Sequence, residues 1–215
     1  MYYIIQQNSI NILIKFMKKK IKYNNFSLIT GGTSGIGASF AYHLSKLGYN
    51  LVIVSNNSKK LSNISKSIKK KINTNLITIK SDLSHEKGYE KVIKTIQKKK
   101  ININFLINCA GMGYYGDFIK TDIKYNLKIL NININSIVAL CSFFSSQMRF
   151  SKDKSYIINV GSLSSFCPSP EMTIYSCSKN FIEKFTECLR YELKNTNVNV
   201  SYIAPGQTDT NFLRK

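Results

Sequence analysis

Acidic residues are scarce in this chain. Only 11 Asp and Glu stand against 31 Lys and Arg, a formal net charge of +20 over 215 residues. Such an imbalance invites a nucleic acid or an anionic membrane as partner. Arginine is scarcer still, limited to Arg149, Arg190 and Arg214. Bidentate recognition of bases and phosphates draws on the planar guanidinium fork, so a lysine-only surplus argues against a specific nucleic-acid site. Lysine, isoleucine and asparagine are abundant together, in runs such as Ile101-Asn102-Ile103-Asn104 and Asn131 to Asn135. That is the product of an AT-biased coding sequence, and the charge reads as a solvated compositional bias.

The five cysteines (Cys109, Cys141, Cys167, Cys177 and Cys188) form no C-x-x-C pair and no metal-like spacing with His43 or His85. No disulfide framework and no metal site is expected; reduced thiols and a cytoplasmic setting are. No stretch reaches the ~18 uninterrupted apolar residues of a membrane span. The apolar stretch Ile10 to Met17 precedes Lys18-Lys19-Lys20, the reverse of a secretory signal, and no small-residue cleavage site follows. Residues 1–25 are therefore taken as an N-terminal extension, with Met17 a plausible start and an interfacial anchor the alternative. Internal repeats and linkers are also missing, which leaves one domain over 26–215.

What is present is a globular composition, 43% hydrophobic and 12% aromatic, in which short β-like runs alternate with longer helical ones. Strands are expected at Phe26–Thr30, Leu51–Ser55, Leu76–Lys80, Asn104–Asn108, Ser155–Gly161 and Asn197–Ile203. Several are near-continuous apolar runs, as strands covered on both faces require. Helices are expected near 35–47, 58–72, 85–99, 121–150 and 173–195, with Pro168 and Pro170 marking the loop before the last. The pattern specifies an α/β fold, a Rossmann-type doubly wound parallel sheet with helices on both faces.

Directly after the first of these strands comes Thr30-Gly31-Gly32-Thr33-Ser34-Gly35-Ile36-Gly37, and then a helix. Glycines at such a turn let backbone N–H groups approach a pyrophosphate at the helix N-terminus. The T-G-x-x-x-G-x-G spacing resembles that of the short-chain dehydrogenase/reductase family. Asp82-Leu83, after the third expected strand, resembles the family's adenine-ring contact. Asn108-Cys109-Ala110-Gly111 resembles its N-N-A-G turn, and Ala204-Pro205-Gly206-Gln207-Thr208 its P-G motif.

The resemblance implies cofactor contacts from Gly31, Thr33, Ser34, Gly35, Ile36 and Gly37, and from Asp82, Leu83, Asn108, Ala110 and Gly111. It implies further contacts from Pro205, Gly206 and Thr208. After the second expected strand, Ser55-Asn56-Asn57-Ser58-Lys59-Lys60 has no acid to receive a ribose 2′-hydroxyl. Two lysines nearby favour a 2′-phosphate, so NADP(H) is the expected cofactor. The arginine common in relatives that use it is absent, and NAD(H) stays open.

Tyr175-Ser176-Cys177-Ser178-Lys179 places a phenol and an ammonium on one helix face. A phenol ionises near pH ~10, and a neighbouring Lys⁺ with an oxidised nicotinamide would lower that value. Ser162 stands 13 residues upstream at the end of an apolar strand, the family's spacing, and Asn133 falls where its fourth catalytic residue does; Asn135 is the neighbouring alternative. The implied roles are a hydrogen bond from Ser162 to the substrate carbonyl, proton delivery by Tyr175, and tuning of Tyr175 by Lys179, which also binds the nicotinamide ribose. Asn133 would hold a water of the proton relay.

The expected activity is hydride transfer between NADP(H) and a ketone or secondary alcohol. The Ser162–Phe166 and Pro168–Met172 segments resemble those of reductases of ketoacyl or steroid-like carbonyls. Met112, Tyr114, Tyr115, Phe166 and Met172 either line an apolar pocket or pack. Relatives continue some tens of residues past the P-G motif, adding a lid and another strand, so the sheet is expected to lack its C-terminal strand and end on an exposed edge. This motivates a second hypothesis, a non-catalytic nucleotide-binding protein. A basic membrane- or nucleic-acid-associated protein is the third. A homodimer or homotetramer through the helices at 121–150 and 173–195 is also implied by the resemblance.

Overall fold

In the computed structural model, the described residues are 2–5, 25–72 and 74–206, with residues 2–5 described for their backbone alone. Six strands cross the molecule: β2 (Asn25–Thr30), β3 (Asn50–Ser55), β4 (Leu76–Lys80), β5 (Asn102–Asn108), β6 (Ser155–Val160) and β7 (Val198–Pro205). A further strand, β1 (Tyr2–Ile5), lies at one edge. The order across the sheet is β1-β7-β6-β5-β2-β3-β4, and every pairing is parallel. The apolar runs explain the buried strands. Leu51, Val52, Ile53 and Val54 are wholly buried, as are Leu106 and Ile107.

Helices cover both faces, as the alternation requires. On one side α1 (Gly35–Lys46) and α2 (Ser58–Lys71) bring Phe40, Ala41, Leu44, Leu61 and Ile68 against Ile29, Ile53 and Ile107. On the other, α3 (Glu86–Lys98), α4 (Ile123–Leu130), α5 (Ser136–Met148) and α6 (Thr173–Glu192) flank a core that includes Leu106, Leu140, Phe144, Ile157 and Ile182. The chain winds outward from β2 to β4 in one direction and from β5 to β7 in the other. A topological switch point therefore lies between β2 and β5, and ligands of such sheets bind beyond the carboxyl ends of the strands there.

Two features depart from the expectations. The sheet does not end at β7, because Tyr2–Ile5 pairs with Tyr202–Pro205 in parallel and covers that edge. A four-residue strand carries too little periodicity to register in the sequence. The expected helix over 121–150 is interrupted by a π-helical turn, Asn131–Asn135, between α4 and α5. By length and composition Ile123–Met148 is apolar enough to cross a membrane, at a mean hydropathy of 1.5. Here its inner face is packed on the sheet, with Ile137, Leu140, Cys141 and Phe144 buried.

Candidate active site

The strand ends facing the switch point converge on one cavity of about 1140 Å³. Its floor at one end is the turn after β2. Gly31 has φ +65 there, and a Cβ on it would lie 2.9 Å from the backbone of Ala110. Only glycine allows this turn and the following helix to approach β5 so closely. The Thr30 hydroxyl locks the two strand ends together, accepting from the Cys109 and Ala110 amides at 3.0 and 3.1 Å. Thr33, Ser34, Gly35 and Ile36 line the cavity at the start of α1, whose N-cap residue Ser34 makes no side-chain cap bond. The first-turn amides and the helix dipole thus face a space suited to an anionic pyrophosphate.

The next part of the wall comes from the ends of β3 and β4. Ser55, Asn56, Asn57, Lys60, Ser81, Asp82 and Leu83 line it. Asn57 caps α2 by accepting from the Lys60 amide at 2.9 Å, and Thr33 donates to Ser55 at 3.1 Å. Asp82 feels an upward push from burial, but the Ser84 backbone and hydroxyl with His85 and Lys128 hold it below the usual carboxylate range. Gly88 lets the start of α3 press against the Asp82 carbonyl, while Ser81 donates to the Gly88 carbonyl at 2.7 Å.

At the other end stand Ser162, Tyr175 and Lys179, all lining the cavity. Ser162 is held by a turn of 3-10 helix, Leu163–Ser165, whose N-cap it forms in extended backbone. Its side chain hydrogen-bonds the Tyr175 phenol. Lys179, only 3% exposed, donates its Nζ proton to the Val160 carbonyl at 3.0 Å and lies 5.7 Å from the centre of the Tyr175 ring. Burial pulls its ammonium down to about 8 against an opposing pull from Cys109.

Tyr175 departs from its expected direction. Burial raises its phenol above the ordinary value, and the bond from Ser162 opposes that rise. Desolvation penalises a phenolate wherever water is excluded, and here it outweighs the hydrogen bond from Ser162. Cys109 faces the same cavity, its thiol pushed up to about 11 by burial.

Of the sequence-derived residues, Gly31, Thr33, Ser34, Gly35, Ile36, Asp82, Leu83, Ala110, Gly111, Pro205 and Gly206 line the cavity with Ser162, Tyr175 and Lys179. Gly37 sits just behind, where a Cβ would meet the Gly31 carbonyl. Asn108 is turned away from the cavity. It is wholly buried and donates to Asn159 at 2.8 Å, which in turn donates to Thr186 at 2.9 Å, a polar ladder through the core.

Asn133 is also wholly buried. It donates to the Met112 carbonyl and to Ser178, and accepts from the Met112 amide, each at 2.9 Å. Asn135 is exposed and donates to Asn131 within its own helix. The π turn accounts for the difference, since it rotates Asn133 onto α6 and the Met112 loop. Of the five suggested pocket residues Met172 lines the cavity. Tyr115 and Phe166 are more than half exposed, and Tyr114 meets Tyr125 edge to face. Thr208, Met17 and all of residues 6–24 lie outside the described residues.

Ser55, Ser81, Val160, Gly161 and Ser164 line the cavity without having been singled out. Ser55, Ser81 and Gly161 stand at or just past strand ends, and the rule that ligands bind beyond the carboxyl ends of the strands would have found them.

A sequence model of the family described as short chain dehydrogenase matches residues 25–215. Among curated relatives, the rat very-long-chain 3-oxoacyl-CoA reductase is 32% identical over 188 residues, 86% of this chain and 59% of its own length. The human protein of that name is 34% identical over 84% of this chain and 58% of its own length. The chain thus spans less than two thirds of these relatives. In three dimensions it is similar to a short-chain dehydrogenase from Sphingobium yanoikuyae solved with NADPH, at a TM-score of 0.82 and 26% identity over 87% of this chain and 73% of that one. A bulky-bulky ketone specific alcohol dehydrogenase from Comamonas testosteroni also gives a TM-score of 0.82, at 28% identity over 87% of this chain and 74% of that one. With the motifs, the switch-point cavity and the matched family agreeing, the chain belongs to the short-chain dehydrogenase family.

Proposed function

We propose that this chain reduces the keto group of a 3-oxoacyl thioester or similar lipid-like ketone, using NADPH. The observation that carries the reading is the meeting of Ser162, Tyr175 and Lys179 at one end of a cavity whose other end is the uncapped start of α1. A bound nicotinamide supplies the hydride. The chain's own residues do the rest. The Ser162 hydroxyl orients the substrate carbonyl oxygen and hydrogen-bonds Tyr175, and Tyr175 donates its phenolic proton to that oxygen. A phenol kept above its ordinary value by burial stays protonated at neutral pH, as a donor in reduction must be. Lys179 stands beside Tyr175 to restore a proton and to bind ribose hydroxyls. Asn133 fixes the Met112 loop against α6 and so holds Tyr175 and Lys179 in place.

The substrate class rests on the relatives named above. NADP(H) rests on Asn56, Asn57 and Lys60, which line the cavity just past the end of β3, where Ser55 to Lys60 contains no acid. A homodimer through α5 and α6 and a cytoplasmic setting belong to the same reading.

The test is oxidation of NADPH by 3-oxoacyl-CoA and by simple ketones, in wild type and Tyr175→Phe. We expect turnover in wild type and a loss of about 10²–10⁴-fold in the variant, with cofactor affinity retained. Wild type and variant equally inert, with NADPH still bound, would instead make the chain a nucleotide-binding protein without this activity.

A further inference from the structure

Ser162 is held in place from below. Its amide donates to the Tyr202 phenol oxygen at 3.2 Å, and its carbonyl accepts from the Ser165 hydroxyl at 2.6 Å. The Tyr202 hydroxyl carries one proton of its own. It has three acceptors in reach: Ser165 Oγ at 3.0 Å, the Lys179 carbonyl at 3.3 Å and the Ser162 carbonyl at 3.5 Å. Asn180 completes the join, donating to the Ser165 carbonyl at 2.9 Å. The strand end that bears Ser162 is therefore tied to the helix that bears Tyr175 and Lys179 through one buried hydroxyl.

Tyr202 is well placed for this. It sits on β7 opposite Asn159 of β6 and is 1% exposed. Its ring meets Phe166 edge to face. Gly161 makes room for it, since a Cβ there would fall within 2 Å of the phenol oxygen. Gly161 and Tyr202 are a matched pair, in which the phenol occupies the volume a side chain at 161 would need. A smaller residue at 202 would keep the sheet and lose the bridge.

We propose that Tyr202 is a positioning residue for the reaction, which aims the Ser162 hydroxyl at Tyr175 and at the substrate oxygen by bonding the Ser162 backbone. It touches neither the substrate nor the reacting atoms. Its contribution comes through the orientation of Ser162, because small misplacements of a catalytic group cost far more in rate than in stability. The inference rests on the proposed reduction.

The experiment is a double-mutant cycle of Tyr202→Phe and Ser162→Ala, with NADPH affinity and melting temperature measured alongside. Phenylalanine retains the ring and its packing. In the wild-type background we expect kcat for ketone reduction to fall about 30-fold with NADPH affinity unchanged. In the Ser162→Ala background we expect Tyr202→Phe to change the residual rate less than about twofold, because the residue it positions is already gone. Equal losses in both backgrounds, or an unchanged kcat with a lowered melting temperature, overturn the proposal and leave Tyr202 a packing residue.

Should Tyr202→Phe fail to fold, Ser165→Ala removes the adjacent link and is expected to lower kcat about threefold, again only where Ser162 is present. An unchanged kcat there overturns the proposal equally. Should wild type reduce no ketone, the reduction itself fails, and hydrogen exchange at the Ser162 amide decides the bridge. Exchange at least about tenfold faster in Tyr202→Phe upholds the anchoring of Ser162, and an unchanged rate overturns it.

Discussion

Around Gly31–Gly37 the cavity wall is main chain. Four glycines, the amides at the start of α1 and the Thr30 hydroxyl set its shape. At the far end the wall is side chain. The backbone carbonyls of Ser162, Tyr175 and Lys179 accept from Ser165, Ser178 and Tyr202, and Asn133 and Asn180 in turn bond Ser178 and Ser165, so that four different segments contribute. In the proposed function the first end needs only to recognise the cofactor's pyrophosphate, which backbone dipoles do without side chains. In the proposed reduction the second must place a proton within hydrogen-bond reach of one substrate oxygen, and needs side chains with adjustable acidity. Adding an atom should therefore damage the first, and removing one should damage the second.

Gly31→Ala presses that contrast hardest. A Cβ in the left-handed region, against the Ala110 backbone, costs about 1–3 kcal/mol of strain, and we expect NADPH affinity by fluorescence titration to fall about 10- to 100-fold. An affinity within twofold of wild type would mean that main-chain shape does not govern the first end. Asn133→Ala tests the second. It strips three buried hydrogen bonds, so we expect about 2 kcal/mol less stability in urea unfolding and about tenfold lower kcat, with little change in NADPH affinity. A loss of affinity equal to the loss of kcat would merge the two ends into one unit.

Asn56→Asp probes the recess between β3 and α2, where side chains do enter the first end. A carboxylate there repels a 2′-phosphate, and we expect the ratio of NADPH to NADH affinity to fall about tenfold. The smallest effect is a pH dependence at Lys179. Its folded value of about 8 lies below the ordinary 10.5, so between those limits the unfolded chain binds more protons and stability rises with pH. Below about 8 both states are protonated and the gain is absent. Melting temperatures of wild type minus those of Lys179→Met should climb across that window and stay flat beneath it.

Both ends were legible in the sequence to different depths. The glycine turn was legible as a turn between a strand and a helix, since each position acts through its own backbone. The Tyr175–Lys179 pair was legible because positions i and i+4 of a helix share a face wherever the helix lies. The direction of the Asn108 side chain was not legible, because its strand end looks the same whether the amide turns to the cavity or to Asn159. The π turn at Asn131–Asn135 also left no periodic trace. It decides that Asn133, and not Asn135, reaches α6.

Local pattern by itself determined the order of strands and helices, the parallel sheet, the glycine turn and the placing of Tyr175 and Lys179 on one helix face, since all of these follow from backbone geometry over a few residues. Tertiary structure alone decided the edge strand Tyr2–Ile5 beside β7, the raised phenol of Tyr175 and the bridge from Tyr202 to Ser162. Strand pairing across the whole chain, exclusion of water and a hydrogen bond between residues 40 positions apart depend on what distant segments bring together. No window of the sequence contains them.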